Sequence, residues 1–309
     1  MKILVTGGAG FIGSNIVDEY ILQGHNVVVV DNLSAGKIAN LNKKAKFYKV
    51  DIRDISGLKK LFQKERFEVI NHHAAQIDVR KSVEEPQFDA QINIVGTLNL
   101  LQLGIKHKIK KFIFASSGGT IYGECKNFPA PKEDIDYKPE SPYGCAKLAI
   151  EYYLGYYNTI YGLKVAVLRY ANVYGPRQDP FGEAGVVAIF ANRMLKNEDV
   201  YIFGDGKQMR DFVFVKDVVN ANFACLKKDF KKLVVNIGTG KAISVNELFY
   251  SMKKIIGYSK KVIYKPARKG ELMKSYLNNR LAKKILSWEP KKNFYDGLKD
   301  TIEYFKLQM

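Results

Sequence analysis

Apolar residues gather along the chain into short runs: ILVT (3–6), VVVVD (27–31), KFYKVD (46–51), EVINH (68–72), KFIFASS (111–117) and KVAVLRY (164–170). Runs of this length, rich in β-branched and aromatic residues, suit strands buried on both faces. Between them lie helix-length amphipathic stretches at 12–23, 54–65, 86–105 and 144–161. The alternation predicts βαβ units in a parallel sheet with helices on both sides, so residues 1–170 read as a doubly wound α/β domain.

After NVYGPRQDP (172–180) the rhythm loosens into turns, short strands and helices. The runs FVFV (212–215) and VVNIG (234–238) could return as extra strands of the first sheet. The remainder, 171–210 and 240–309, predicts a smaller C-terminal α/β lobe, which makes 171–309 mainly a substrate lobe. The sequence has no internal repeat, no low-complexity segment and no long linker. A cleft between the two lobes is the expected ligand site.

Composition narrows the classes. With 309 residues, 47% of them hydrophobic and 26% charged, the chain can bury a sizeable core. No apolar run approaches the ~18 residues of a membrane span. The opening MKILVTGGAG is a strand and a glycine turn rather than a secretory signal, so the expected location is the cytoplasm. Cys125, Cys145 and Cys225 are odd in number and lack a CxxC, which predicts reduced thiols and no metal. The net charge of +18 is spread in lysine runs such as KHKIKK (106–111) and NKKAKFYK (42–49), where a solvated surface is the ordinary reading. No zinc-finger or RNA-recognition signature points to nucleic acid. His72 and His73 are neighbours on a predicted strand, so they point to opposite faces and cannot share an ion.

The strand KILVT runs straight into GGAGFIG and a helical pattern, placing Gly7, Gly10 and Gly13 in a tight turn. Such a turn lets the backbone approach a pyrophosphate at a helix amino terminus. Asp31 closes the second strand 18 residues after Gly13. A carboxylate there accepts both hydroxyls of an adenosine ribose and repels a 2′-phosphate, so NAD is favoured over NADP. Phe11, Ile12, Asn32, Ala74 and Ala75 complete the expected cofactor contacts. Asp51 and Ile52 are expected near the adenine, although VDIRD reads equally as a strand end before an N-cap at Asp54.

Tyr143 and Lys147 lie four residues apart in a helix that begins after PESP, so phenol and ammonium share a face. A nearby ammonium and a cationic nicotinamide favour the phenolate, which would make the pair a general base. The segment FIFASSGGTIYG, at the carboxyl end of the fifth strand, adds Ser116 and Ser117 as hydroxyls. TGGAGFIGS, VVDNLSAG, HHAAQIDVRKSVEEP, SSGGTIYGE, SPYGCAK, LRYANVYGPRQDP, GEAGVVAIF, FGDGKQMRDFVFVKDVV, NIGTG and PARKGE follow in order along the chain. In these the sequence resembles the extended short-chain dehydrogenase/reductase family, most closely its NAD-dependent sugar epimerases of the UDP-glucose 4-epimerase type. The resemblance spans nearly the whole chain and implies a Rossmann-like sheet.

By that resemblance Tyr143 takes the proton of a sugar hydroxyl and Lys147 binds the nicotinamide ribose. The third catalytic group falls on Ser117, the hydroxyl nearest to Gly118, where counting back from Tyr122 would place it. Asn172 matches an asparagine touching the sugar or its diphosphate, and Arg210 and Arg268 match arginines that hold the diphosphate. Val187, in GEAGVVAIF, would line the base and diphosphate channel. Glu271 stands where relatives carry an aspartate on the uridine ribose.

The implied reaction is a transient oxidation at C4 of a UDP-sugar, UDP-glucose or UDP-galactose, with hydride returned to the other face and NAD retained. Related enzymes acting on UDP-N-acetylglucosamine or UDP-glucuronate, including a decarboxylase, remain alternatives, with Arg80 or Arg177 as cations for a uronate. A dehydratase is disfavoured because the segment has no carboxylate in place of its Gly-Gly. A non-catalytic NAD-binding sensor would be expected to lack the Tyr and Lys pair. The resemblance also implies a homodimer packed through the helices at 86–105 and 144–161.

Overall fold

The computed structural model describes residues 1–123, 129, 137–181, 185–268 and 272–309. Its first six strands are β1 (Lys2–Thr6), β2 (Asn26–Asp31), β3 (Lys46–Lys49), β4 (Val69–His72), β5 (Lys111–Ser117) and β6 (Lys164–Tyr170). Shorter ones follow: β7 (Asn172–Tyr174), β8 (Tyr201–Phe203), β9 (Met209–Arg210) and β10 (Phe212–Phe214), then the longer β11 (Lys232–Ile237). The last three are β12 (Ile243–Ser244), β13 (Ile263–Lys265) and β14 (Lys274–Ser275). Seven of them form one parallel sheet in the order β11-β6-β5-β4-β1-β2-β3. The chain reverses its direction of travel between β1 and β4, and in such a sheet ligands sit outside the carboxyl ends of the strands at that point.

Alternation along each strand builds two cores. Ile3, Val5, Val27, Val29, Ile113, Ala166 and Leu168 face one side, where α1 (Phe11–Leu22) contributes Ile16, Val17 and Tyr20. Leu4, Val28, Val30, Ile70, Phe112, Phe114, Val165 and Val167 face the other. There they meet Leu58, Leu61 and Phe62 of α2 (Ile55–Lys64), which is capped by Asp54 accepting from the Ser56 and Gly57 N–H groups. Each helix covers the sheet with one apolar stripe, as the period of 3.6 requires.

The expected helix over 86–105 is present as three consecutive pieces. After the short α3 (Val79–Glu84), α4 (Pro86–Ala90) runs into a π-helical stretch, Gln91–Gly96, and then α5 (Thr97–Lys106). The Asn93 side chain in that stretch turns inward to Gln76 and Asp89. Wide turns of this kind cluster at functional sites. Helix α6 (Pro142–Tyr161) then covers β5 and β6.

Two apolar runs of the second half part company. β11 joins the large sheet beside β6. Phe212–Phe214 does not; it pairs with Asn172–Tyr174 in a separate two-stranded sheet. Phe212 and Phe214 go into a third core with α7 (Val186–Leu195) and α9 (Val245–Ile256), while Val213 between them packs into the first core, beside the large sheet. Helices α8 (Val215–Lys227), α10 (Arg280–Leu286) and α11 (Phe294–Lys306) complete the chain. Among the described residues no helix is long and apolar enough to cross a membrane.

Candidate active site

The breaker before α6 sets where the pair sits. Ser141 caps the helix by accepting from Gly144 N–H at 3.1 Å, and Pro142 occupies its first turn, where no N–H is missed. A Cβ on Gly144 would lie 2.7 Å from the Thr120 carbonyl, so glycine lets the helix start press against the turn after β5. Tyr143 and Lys147 then share one face, the ammonium 5.6 Å from the phenol ring centroid. Lys147 is buried, donates to the Ala115 carbonyl at 2.9 Å and lies over the Phe114 ring.

Burial governs both groups. It lowers the Lys147 ammonium to about 8, against the pull of the Asp89 and Glu151 carboxylates, which favour its charge. It also pushes the Tyr143 phenol well above its ordinary value, with the Asp89 charge acting in the same direction. In the chain by itself the phenol is therefore neutral, and the lowering anticipated from the sequence depends on a further cation brought to the site.

Ser117 ends β5, half-buried, opposite Tyr170 of β6. A Cβ at position 118 would meet Leu277 Cδ1 at 2.5 Å, so a side chain there requires that leucine to move. Ser116 points the other way and donates to Glu151 at 2.5 Å. Thr120, in the same turn, has a buried hydroxyl with no partner among the described residues. Choosing the hydroxyl nearest Gly118 passed it over, although GGTIYG displayed it.

The glycine turn is as tight as its sequence demands. Gly7 has a φ of +68°, and a Cβ on it would lie 2.6 Å from Ala74 N, the point where Ala74 and Ala75 leave β4. A Cβ on Gly13 would lie 2.2 Å from the Gly7 carbonyl oxygen. Gly10 stands at the N-cap with no side-chain bond, ahead of Phe11 and Ile12, so the helix start presents bare N–H groups. Asp31 is buried at the end of β2 and accepts from Ala9 N–H at 3.0 Å and Leu33 N–H at 2.8 Å. A Cβ on Gly36 would come within 2.9 Å of both its oxygens, so that side is left open for a ligand hydroxyl. A carboxylate has lone pairs for about four bonds and this one has used two. Asn32 bonds Asp51 at 2.8 Å, and Arg53 grips the same carboxylate through two nitrogens, holding it well below the usual range. Ile52 is buried beside Gly96. These residues fit a dinucleotide: open backbone for the pyrophosphate and an anchored acid for the ribose.

In the second half, Asn172 opens β7 and donates its N–H to the carbonyl of Asp211. Val187 is buried in α7, Arg210 lies in β9, and the exposed Arg268 stacks its guanidinium over Phe203 at 4.0 Å. Glu271 and Cys125 lie outside the described residues. His72 bonds Thr6 and Thr97, whereas His73 stacks on Tyr170, so the two face opposite ways. Cys145 is exposed, because its helical position faces away from the sheet.

The model of the NAD dependent epimerase/dehydratase family matches residues 3–238. The UDP-glucose 4-epimerase of Mycolicibacterium smegmatis is 42% identical over 99% of each chain. The chain belongs to the NAD dependent epimerase/dehydratase family. Among solved members of the family, a UDP-glucose 4-epimerase from Thermotoga maritima with UDP-glucose superposes at a TM-score of 0.97, with 54% identity over 100% of this chain and 99% of that one. The Thermus thermophilus UDP-glucose 4-epimerase in complex with NAD gives 0.95 at 41% identity, over 99% of both. Within an epimerase/dehydratase, sequence reasoning missed three buried polar residues beside the pair: Asp89, Glu151 and Thr120. Glu151 had a signal, since it lies one turn beyond Lys147 on the same face.

Proposed function

We propose that the chain is an NAD-dependent epimerase that inverts C4 of a UDP-sugar, interconverting UDP-glucose and UDP-galactose. The observation that carries this is the meeting of Tyr143, Lys147 and the Ser117 turn at the carboxyl edge of β5, on the sheet that also carries the glycine turn. NAD supplies a reversible hydride acceptor there. Tyr143 removes the proton of the C4 hydroxyl, the Lys147 ammonium offsets the phenolate charge, and Ser117 bonds the same oxygen. The phenol later returns its proton to the C4 oxygen of the turned 4-keto sugar, whose other face would then take back the hydride. Arg210 and Arg268 hold the diphosphate, while Asn172, Val187 and Glu271 contact the remaining nucleotide sugar. Residues 1–170, with β11, form the cofactor-binding part, and 171–309 mainly the part that binds the nucleotide sugar.

A homodimer is supported by α6, which exposes Tyr152, Tyr153, Tyr156, Ile160 and Tyr161 along one flank. The unpaired thiols of Cys145 and Cys225 suit the cytoplasm. The test is proton NMR of UDP-glucose, UDP-galactose, their N-acetylated forms and UDP-glucuronate with purified protein and no added NAD. Interconversion of the first two is the expected result. Turnover of none of them, even after NAD is added, overturns the reading.

A further inference from the structure

Asp89 is a carboxylate with 1% of its surface exposed, and among the described residues it has no ion pair. Its Oδ1 accepts from Gln76 Nε2 and from Asn93 Nδ2, both at 2.9 Å. Its Oδ2 is buried with no hydrogen-bond partner among the described residues. A lone acid costs several kcal/mol to bury unless something nearby repays its charge. Helix α4, which carries it, packs against α6, and the π-helical stretch that follows at Gln91–Gly96 contains Asn93, one of the two residues that bind it.

The charged and titratable surroundings are few. From α6 come Tyr143 and Lys147, and beyond them Glu151, which is committed to Arg169 and Ser116. From the end of β4 come His72 and, just past it, His73, both kept neutral by burial beside the Lys147 charge. Helix α3 brings the exposed Arg80 and Glu84, and Lys81, whose ammonium lies over the Phe88 ring at 4.6 Å. Asp78 caps that helix. Among the described residues the one buried cation beside Asp89 is thus Lys147; burial raises the Asp89 carboxyl and lowers the Lys147 ammonium, and against that each charge favours the other.

We propose that Asp89 is a positioning residue, the fixed negative partner of the Lys147 ammonium, which keeps that group charged and sets the pH range in which Tyr143 works. The proposal rests on the reading of Tyr143 and Lys147 as the acid-base pair. The sign follows from electrostatics. Removing the negative charge makes the Lys147 ammonium easier to deprotonate and the Tyr143 phenolate easier to form. Both shifts run toward lower pH.

The variant is Asp89→Asn, which keeps the shape and one acceptor. In protein labelled at the lysine Cε, the Lys147 signal is the one lost in Lys147→Met. Its titration midpoint is expected to fall by roughly one pH unit in Asp89→Asn. Both limbs of the kcat profile against pH for the UDP-sugar move down by a similar amount. An unmoved Lys147 midpoint overturns the proposal, as does a lower rate with both limbs in place, the mark of a packing role alone. A lowered midpoint in protein that turns over no UDP-sugar upholds the charge pairing and overturns the epimerase reading instead. Should Asp89→Asn not fold, Lys147→Met supplies the reciprocal measurement. The Asp89 carboxyl carbon then titrates at higher pH than in the wild type, and no change there overturns the pairing.

Discussion

Lys147 is bonded to Ala115: its ammonium donates to that carbonyl at 2.9 Å, from the helix to the strand that ends in Ser117. The bond orients the ammonium and ties helix α6 to strand β5. Lys147→Met is expected to lower kcat by ~10²–10⁴-fold, the range for losing a group that supports proton transfer. Wild-type activity should fall as pH rises through about 8, where the ammonium loses its proton. Stability should run the other way. The folded value lies below the ordinary 10.5, so between the two the unfolded chain binds the extra proton and stability rises with pH. Urea midpoints measured across that window check the sign.

Tyr143→Phe removes the phenol oxygen and leaves the ring. Turnover should drop by ~10³-fold or more, while bound NAD, measured after denaturing the protein, stays at the wild-type level. A variant that loses NAD in step with activity would argue that the ring serves binding instead.

Gly13→Ala places a methyl 2.2 Å from the Gly7 carbonyl oxygen, and neither backbone segment can give way without opening the turn. NAD retention should be lost, while the rest of the sheet, read by far-ultraviolet circular dichroism, persists. Asp31→Asn is milder. Losing a charged acceptor for a ribose hydroxyl costs about 1.5–3 kcal/mol, or ~10–100-fold in Kd for NAD measured by calorimetry.

Arg169 and Glu151 form an ion pair with both side chains nearly fully buried, at 2.6 Å, and Arg169 also donates to the Tyr122 and Tyr137 hydroxyls. Arg169→Met strands the Glu151 charge and should cost about 3–5 kcal/mol by urea unfolding. Replacing both, as Glu151→Gln with Arg169→Met, should restore much of that loss. If the double variant is as unstable as the single, the tyrosine bonds matter more than the pair.

Tyr156 is 50% exposed on the aromatic flank of α6. Tyr156→Asp places a charge on that flank and should shift the mass found by light scattering from dimer to monomer. A wild-type protein that is already monomeric removes the homodimer from the reading.

The sheet was legible because its strands advertise themselves twice. Ile3 and Val5 serve one core and Leu4 the other, so the run is apolar throughout and can only be buried on both faces. Phe212–Phe214 carries the same signal, yet an apolar run does not name its partner, and here the partner is Asn172–Tyr174. Tyr143, Lys147 and the glycines were legible through spacing within one element. Asp89 was not, since PQFDAQ reads as a solvated helix turn until Gln76 and α6 close over it. Thr120 and the π-helical stretch escaped for the same reason: their meaning lies in contacts between distant segments.

The third core, around Phe190, Phe212, Phe249 and Leu298, shares no residue with the two that flank the parallel sheet. Substitutions that reshape it have no packing partner among the residues that clasp the dinucleotide. That half of the molecule can therefore be repacked while the parallel sheet and its glycine turn keep every contact of their own.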